Sequence, residues 1–416
     1  MSATPAGIAA AIERLRATGA LLRRRSREDV VETLGLVLEG FRDPESHARK
    51  LLESELPPAT GFTPEVVRAG LEVALEGWKV EALRALVASE LAAPGVRFVT
   101  GFDTTAVLLG GALPPPTLLA LLAPLLLRSA VLAKTSQHDP VTARIFARAL
   151  ADLDPDLGAC LEVVSFSGSD AAATDALLAA DCVVATGSDE TVASLAARVR
   201  PPRRFVGYGH RISVAVLRPA GLGGAALART AQALALDVAL WDQLGCLSPV
   251  SAFVVGDADA VAEAVAVELA ALATRLPRGN IPPAAAAAIA HERGEAEMRA
   301  AAGHAVRLHG DAGDAWTVIR ESDARLRPCP LHRFLRVQPL RSAEDLLAAL
   351  RPLGPHLAGV ALAGFGDLAQ DVSAALLDLG ASRVCAPGRL QAPPLSWHHD
   401  GLPVLLPLAR FGDVED

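Results

Sequence analysis

From Ser129 to Gly209 the chain reads SAVLAKTS (129–136), VTARIFARALADL (141–153), LEVVSF (161–166), DAAATDALLAA (170–180), DCVVATGS (181–188), TVASLAARV (191–199) and RRFVGYG (203–209). Short apolar runs rich in Val, Leu and Ala alternate with longer Ala-rich segments of helical period. This alternation predicts a parallel, doubly wound α/β sheet, and such sheets bind ligands where their strands end.

Working outward, VRFVTGF (96–102) predicts a further strand, and TLLALLAPLLL (117–127), entered through Pro114 to Pro116, predicts a buried helix. That helix is about half the ~20 residues needed to span a membrane. Residues 1–95 read as a helical lead-in packed on the following domain, with Thr63 as an N-cap and Pro64 at the first helical position. Downstream, AALARTAQALALDVALW (225–241) predicts a long helix, followed by the loop DQLGCLSP and the strand VSAFVV. Helices over 257–275 and 342–350 and strands at FLRVQPL and GVALAG continue a second α/β series. The expected division is 1–95 lead-in, 96–212 dinucleotide-binding domain, 213–390 catalytic domain and 391–416 a tail laid back over the body.

The 416 residues are 51% hydrophobic and 21% charged, which excludes a largely disordered chain. Lys plus Arg is 39 against Asp plus Glu at 47, a formal charge of −8, which argues against nucleic acid as a partner. Aromatic residues are only 4%, so Ala, Leu and Val must fill the core. Cys160, Cys182, Cys246, Cys329 and Cys385 are odd in number with no C-x-x-C pair, against both a disulfide framework and a zinc site. The opening MSATPAGIAAAIERLR shows no basic region followed by an apolar core, so a cytoplasmic location is the expectation.

Four segments carry candidate chemistry. Lys134, Ser136 and Gln137 follow the strand SAVLA, where an ammonium meets ribose hydroxyls or phosphate, or is simply solvated. Gly187 and Ser188 form a strand-to-helix turn in which Ser188 can cap the helix and exposed amides can approach a phosphate. Gly207, Tyr208, Gly209 and His210 follow the next strand; a turn of convenience is the alternative. Cys246 lies in a loop beside Gly245, where a thiolate can be reached by substrate. Cys182 and Cys385 sit in apolar strands and Cys160 precedes one, so these three read as core; Cys329, with His332 nearby, is the rival nucleophile.

In this order the segments resemble the aldehyde dehydrogenase superfamily over about residues 95–390, where a K-P-x-E strand end, a G-S turn, an E-L-G-G-K strand end and a G-Q-x-C loop follow one another. GYGHRIS, LWDQLGCLSP, RFLRVQPL and the terminal SWHHDG resemble more narrowly the long-chain acyl-CoA reductase (LuxC-type) branch, which supplies fatty aldehyde. The resemblance implies a Rossmann-type cofactor domain and an α/β catalytic domain with the cleft between them. It implies Cys246 as nucleophile and Lys134, Ser136, Gln137, Gly187 and Ser188 at the cofactor.

Two departures sharpen the expectation. Gly207 replaces the glutamate that activates water in the parent family, so a thioester on Cys246 survives to be reduced. Gln137 replaces the glutamate that grips the adenosine ribose, which favours NADPH over NADH. The resemblance also implies an oxyanion donor at the Cys246 N–H. The family's second donor, an asparagine, has no counterpart, leaving the amides of Gly110 or Gly111. His210, His398 and His399 are candidates to support the thiol, and Arg211 and Arg336 to meet coenzyme A phosphates or be solvated. The implied partners are fatty acyl-CoA or an acyl-protein thioester, an acyl-transfer protein and a second copy of the chain. An oxidative aldehyde dehydrogenase, a glutamyl-phosphate-type reductase and a non-catalytic partner subunit are the alternatives.

Overall fold

A computed structural model of the chain describes residues 3–92, 98–310, 313 and 315–413. The expected boundary at 95/96 lies outside the described residues. Two compact units are present: Met1–Thr60 with Ala74–His210 and Pro394–Asp416, and Gly61–Val73 with Arg211–Pro393.

The first unit opens with helices whose starts are written in sequence. For α1 (Pro5–Leu22), Thr4 accepts the Gly7 N–H and Pro5 pre-sets the first turn; for α2 (Arg27–Arg42), Ser26 accepts the Asp29 N–H. Glu28 and Asp29 in the first turn of α2 and Arg42 in its last complement the helix dipole. Helices α3 (His47–Thr60), α4 (Pro64–Leu75) and α5 (Val80–Leu91) follow, and most of α4 belongs to the second unit.

The strand expected at 96–102 is present as β1 (Phe98–Gly101), but it is not part of the parallel sheet. It pairs antiparallel with the terminal strand Ala409–Gly412, setting Val99 opposite Phe411. This pairing holds the 394–416 segment on the first unit, as does Glu90, whose buried carboxylate accepts the N–H groups of Val404, Leu405 and Leu406 at 2.8, 2.7 and 3.0 Å.

The centre of the sheet is β2 (Thr104–Leu108), a strand the sequence pattern did not reveal. Its threonines read as polar, yet both are buried with their hydroxyls satisfied, Thr104 by Asp181 at 2.8 Å and Thr105 by Ser129 at 2.7 Å. Helix α6 (Pro114–Leu126) is the expected buried helix, and β3 (Ala130–Lys134), α7 (Thr142–Leu153), α8 (Pro155–Gly158), β4 (Leu161–Val164), α9 (Ala171–Leu177), β5 (Cys182–Thr186), α10 (Asp189–Ala196) and β6 (Arg204–Tyr208) complete the alternation. The five strands are parallel in the order β4-β3-β2-β5-β6.

The second unit is a seven-stranded sheet. Its elements are β7 (Ile212–Leu217), α11 (Gly224–Ala239), β8 (Pro249–Val255), α12 (Ala258–Arg275), α13 (Pro283–Ala301), β9 (Arg307–Gly310), β10 (Thr317–Arg320), β11 (Phe334–Leu340), α14 (Glu344–Leu350), β12 (Leu357–Ala363), α15 (Ala369–Leu379) and β13 (Arg383–Cys385). The order is β13-β12-β7-β8-β11-β10-β9, parallel except for β9 against β10. Val214, Val216, Phe253, Leu346, Leu350, Val360 and Leu376 form a buried core where α14 and α15 meet the sheet. Among the described residues no helix is long and apolar enough to cross a membrane.

Candidate active site

In the first unit the strand order reverses between β2 and β5, so the crevice expected of a doubly wound sheet lies beyond the carboxyl ends of these strands. The loops there are in close contact. A Cβ on Gly110 would stand 2.4 Å from the Thr186 carbonyl oxygen, so only glycine lets the two strand ends approach. Gly111 adopts the left-handed region at φ +77°, and its carbonyl accepts the Ser136 hydroxyl at 2.6 Å. Ser136 also accepts the His138 N–H at 3.0 Å, so this serine ties the β2 and β3 loops together. Gln137 and His138 are exposed.

The three other cofactor candidates are placed as follows. Lys134 is buried, with its Nζ donating to the Thr135 carbonyl at 3.3 Å and lying 5.3 Å from the centre of the Phe166 ring; burial lowers its pKa. The Gly187 N–H donates to the Tyr208 carbonyl at 3.1 Å. Ser188 is the N-cap of α10, accepting the Thr191 N–H at 3.3 Å. Asp189, in the first turn of that helix, accepts the backbone N–H of His210 at 2.8 Å.

Gly207 is required by packing. A Cβ there would stand 2.4 Å from a methyl of Val192 on α10 and 2.9 Å from the Phe205 ring. The neighbouring Tyr208 stacks on His399 of the terminal segment, ring centres 4.6 Å apart and nearly parallel at 8°, and Trp397 lies 4.9 Å from the same imidazole. His399 is therefore a packing residue of the first unit, and His398 is exposed.

Cys246 lies in the second unit, at the amino ends of β7 and β8, the edge opposite to that where a parallel sheet ordinarily takes its ligand. The helix expected to reach Trp241 stops at Ala239, because Trp241, Asp242 and Gln243 turn left-handed at φ 54°, 48° and 66°. A second left-handed turn, Leu331, His332 and Arg333 at 64°, 56° and 69°, faces it. Arg333 donates to Asp242 through Nε at 2.9 Å and meets it through Nη2 at 2.7 Å, while the other carboxylate oxygen accepts the Gly279 N–H at 2.9 Å. Gln243 donates to the carbonyls of Pro249 and Phe334 at 2.8 and 2.7 Å and accepts the Phe334 N–H at 2.7 Å. Trp241 is buried with its ring over Gly70, where a Cβ would come within 2.4 Å.

Two more anchors hold the loop around the cysteine. Ser213 donates to the Cys246 carbonyl at 2.7 Å, and Gln391 donates to Ser248 at 2.9 Å. Gln391 also donates to the carbonyl of Asp237, whose carboxylate accepts the N–H groups of Gly388 and Leu390 at 2.6 and 3.1 Å. Burial pushes that carboxyl up to about 7. Sequence reading found none of these anchors; the only signal was polar side chains set into otherwise apolar runs.

All five cysteines are free thiols, and among them Cys246 is exposed. Burial raises the thiols of Cys160 and Cys182, the latter to about 12, and pushes Cys385 up to about 11. The rival Cys329 is pushed up to about 12 and donates to the Phe334 carbonyl at 3.1 Å, so it is poorly suited to attack. Arg336, a candidate either to meet coenzyme A phosphates or to be solvated, is fully buried and paired with Glu321 and Glu292.

Three solved structures share the fold. Aldehyde dehydrogenase C of Pseudomonas syringae, a mutant in complex with NAD+ and octanal, has 17% identity and a TM-score of 0.70, covering 92% of this chain and 82% of its own. An NAD-dependent benzaldehyde dehydrogenase of Corynebacterium glutamicum has 13% identity and a TM-score of 0.71 over 99% and 90%. An oxidoreductase of Marinobacter aquaeolei has 15% identity and a TM-score of 0.75 over 94% and 84%. These likenesses establish the aldehyde dehydrogenase fold. No curated protein matches the chain. The acyl-CoA reductase (LuxC) family matches residues 23–411, a span that includes both sheets and the cysteine loop between α11 and β8. The chain therefore belongs to the acyl-CoA reductase (LuxC) family, on the fold of the aldehyde dehydrogenases.

Proposed function

We propose that the protein reduces a fatty acyl thioester to the fatty aldehyde through an acyl group carried on Cys246, with NADPH as reductant. The observation that carries the reading is the contrast among the cysteines: Cys246 is exposed on an anchored loop, whereas the pKa values of the other four are raised by burial.

The Cys246 thiolate attacks the thioester carbonyl, the S–acyl bond to the departing thiol breaks, and that thiol leaves with a proton. A nicotinamide cofactor, when bound, would supply hydride; Cys246 holds the acyl carbonyl to receive it and departs as thiolate when the aldehyde is released. The fit to such a cofactor rests on the rim of the first unit. Gln137, His138 and Ser188 are exposed there, and a Cβ at Gly111 would meet nothing within 4 Å, so the rim has room at its glycine turn. Gln137 brings no negative charge that would repel a 2′-phosphate, which supports NADPH. Gly207 brings no carboxylate to activate water, which supports reduction of the thioester in place of its hydrolysis.

Mixing the protein with an acyl-CoA and measuring its intact mass tests the reading. One acyl group on Cys246, absent from Cys246→Ala, is expected, together with loss of NADPH oxidation in that variant. A Cys246→Ala protein that oxidises NADPH at the parent rate would overturn it, and a kcat/KM ratio favouring NADH would overturn the cofactor assignment alone.

A further inference from the structure

We propose that Ser213 is a positioning residue that sets the direction in which the Cys246 thiol leaves its loop. The inference rests on the reading of Cys246 as nucleophile and adds a residue that touches neither substrate nor cofactor.

Three independent features meet at this serine. Its buried hydroxyl is used in both senses, donating to the Cys246 carbonyl at 2.7 Å and accepting the Gly359 N–H of β12 at 3.0 Å. It thus joins three segments that are distant in sequence.

Both flanking strands are irregular at this point. Along β8 the register jumps from Ser213 opposite Pro249 to Val214 opposite Ser251, and along β12 from Ile212 opposite Leu357 to Val214 opposite Val360. Each neighbour therefore carries an extra residue beside Ser213. Bulges of this kind bend a strand and re-aim a side chain, and they cluster next to active sites.

The third feature is the glycine. A Cβ on Gly359 would stand 3.0 Å from the Ser213 hydroxyl, 3.0 Å from Leu247 and 2.9 Å from Leu390. A side chain here would have to push the serine hydroxyl and the two leucine side chains aside, so glycine lets β12 pack closely against the serine and the residue after the cysteine.

The effect on Cys246 follows from backbone geometry. Holding a residue's carbonyl oxygen fixes its ψ, and with Gln243 and Ser248 anchored on either side the remaining freedom of the loop is small. The Cα–Cβ bond of Cys246 then points in one direction. An oriented reaction depends on this direction, since a misplacement of about 1 Å can cost roughly 100-fold in rate. Attack on a small, freely diffusing alkylating agent does not.

The experiment compares two rates at Cys246 by quenched-flow mass spectrometry: acylation by a saturating acyl-CoA and alkylation by iodoacetamide. In Ser213→Ala, acylation is expected to slow by about tenfold or more while alkylation stays within about twofold of the parent. Gly359→Ala keeps the hydroxyl but crowds it and is expected to slow acylation likewise; it decides the matter if Ser213→Ala does not fold. Acylation within about twofold of the parent in a folded variant would overturn the proposal, whatever the change in Tm. If Cys246→Ala remained active, the nucleophile assignment would fall on its own, a result distinct from a normal acylation rate in the Ser213 variant.

Discussion

Arg333 and Asp242, 91 residues apart in sequence, meet at 2.7 Å with their side chains almost wholly withdrawn from solvent, each on a left-handed turn of three non-glycine residues. Left-handed backbone costs roughly 1–2 kcal/mol per residue. The turns persist because the ion pair, the Gln243 bonds to Phe334 and the packing of Trp241 over-determine them, and such strain gathers at functional sites.

Removing one partner of this pair leaves a buried charge uncompensated. Arg333→Met is expected to lower stability by about 3–5 kcal/mol in urea unfolding. Adding Asp242→Asn to it should recover part of the loss, since the stranded charge is then gone; no recovery would mean the two residues do not act as a pair.

Placing a side chain at position 207 is expected to be disfavoured for steric reasons. Gly207→Ala alone should destabilise by about 1–3 kcal/mol through overpacking against Val192. Val192→Ala should relieve most of that cost. If urea midpoints show Gly207→Ala to be neutral, the absence of a side chain there has a cause other than space.

Tyr208 is the only tyrosine, so its ionisation can be followed by absorbance without interference. Burial, with added repulsion from Asp400, Glu90 and Cys182, pushes its phenol up to about 12. The folded protein is expected to show no phenolate at pH 10.5, above the ordinary pKa of about 10, while the urea-unfolded chain titrates normally. His399→Ala should remove a stacked contact worth about 0.5–1.5 kcal/mol.

Asp237 makes stability depend on pH in a stated direction. Its folded pKa of about 7 lies above the ordinary 3.8, so between these values the folded state binds the extra proton. Its contribution is fully present below the unfolded pKa, declines as pH rises from about 4, and is lost as pH passes through about 7. Asp237→Asn removes the titration and should flatten that part of the stability curve, although it also disturbs one of the N–H contacts from Gly388 and Leu390. Urea unfolding at pH 5 and pH 8 checks this; an equal decline in both proteins would assign the pH dependence to another group.

The alternation of strands and helices from Ala130 to Tyr208 was legible because hydrophobic period is a local property of the chain. The central strand β2 was not, because the burial of Thr104 and Thr105 depends on hydroxyl partners at Ser129 and Asp181 that only the folded sheet supplies. Lys134 shows the same limit at the site. Its place at a strand end was correct, but its burial beside Phe166 was invisible until the loops were packed.

Sequence alone determined the doubly wound character of the fold and the caps at Thr63 and Ser188. All of these follow from residue type and short-range spacing. Tertiary structure alone decided that Gly207 has no room for a side chain, that Arg336 is an interior ion pair, and that Ser213, Gln243, Arg333 and Gln391 hold the cysteine loop. The physical reason is that a buried polar group must find a partner wherever the fold brings one, and for these residues several partners lie tens to more than a hundred positions away in the chain.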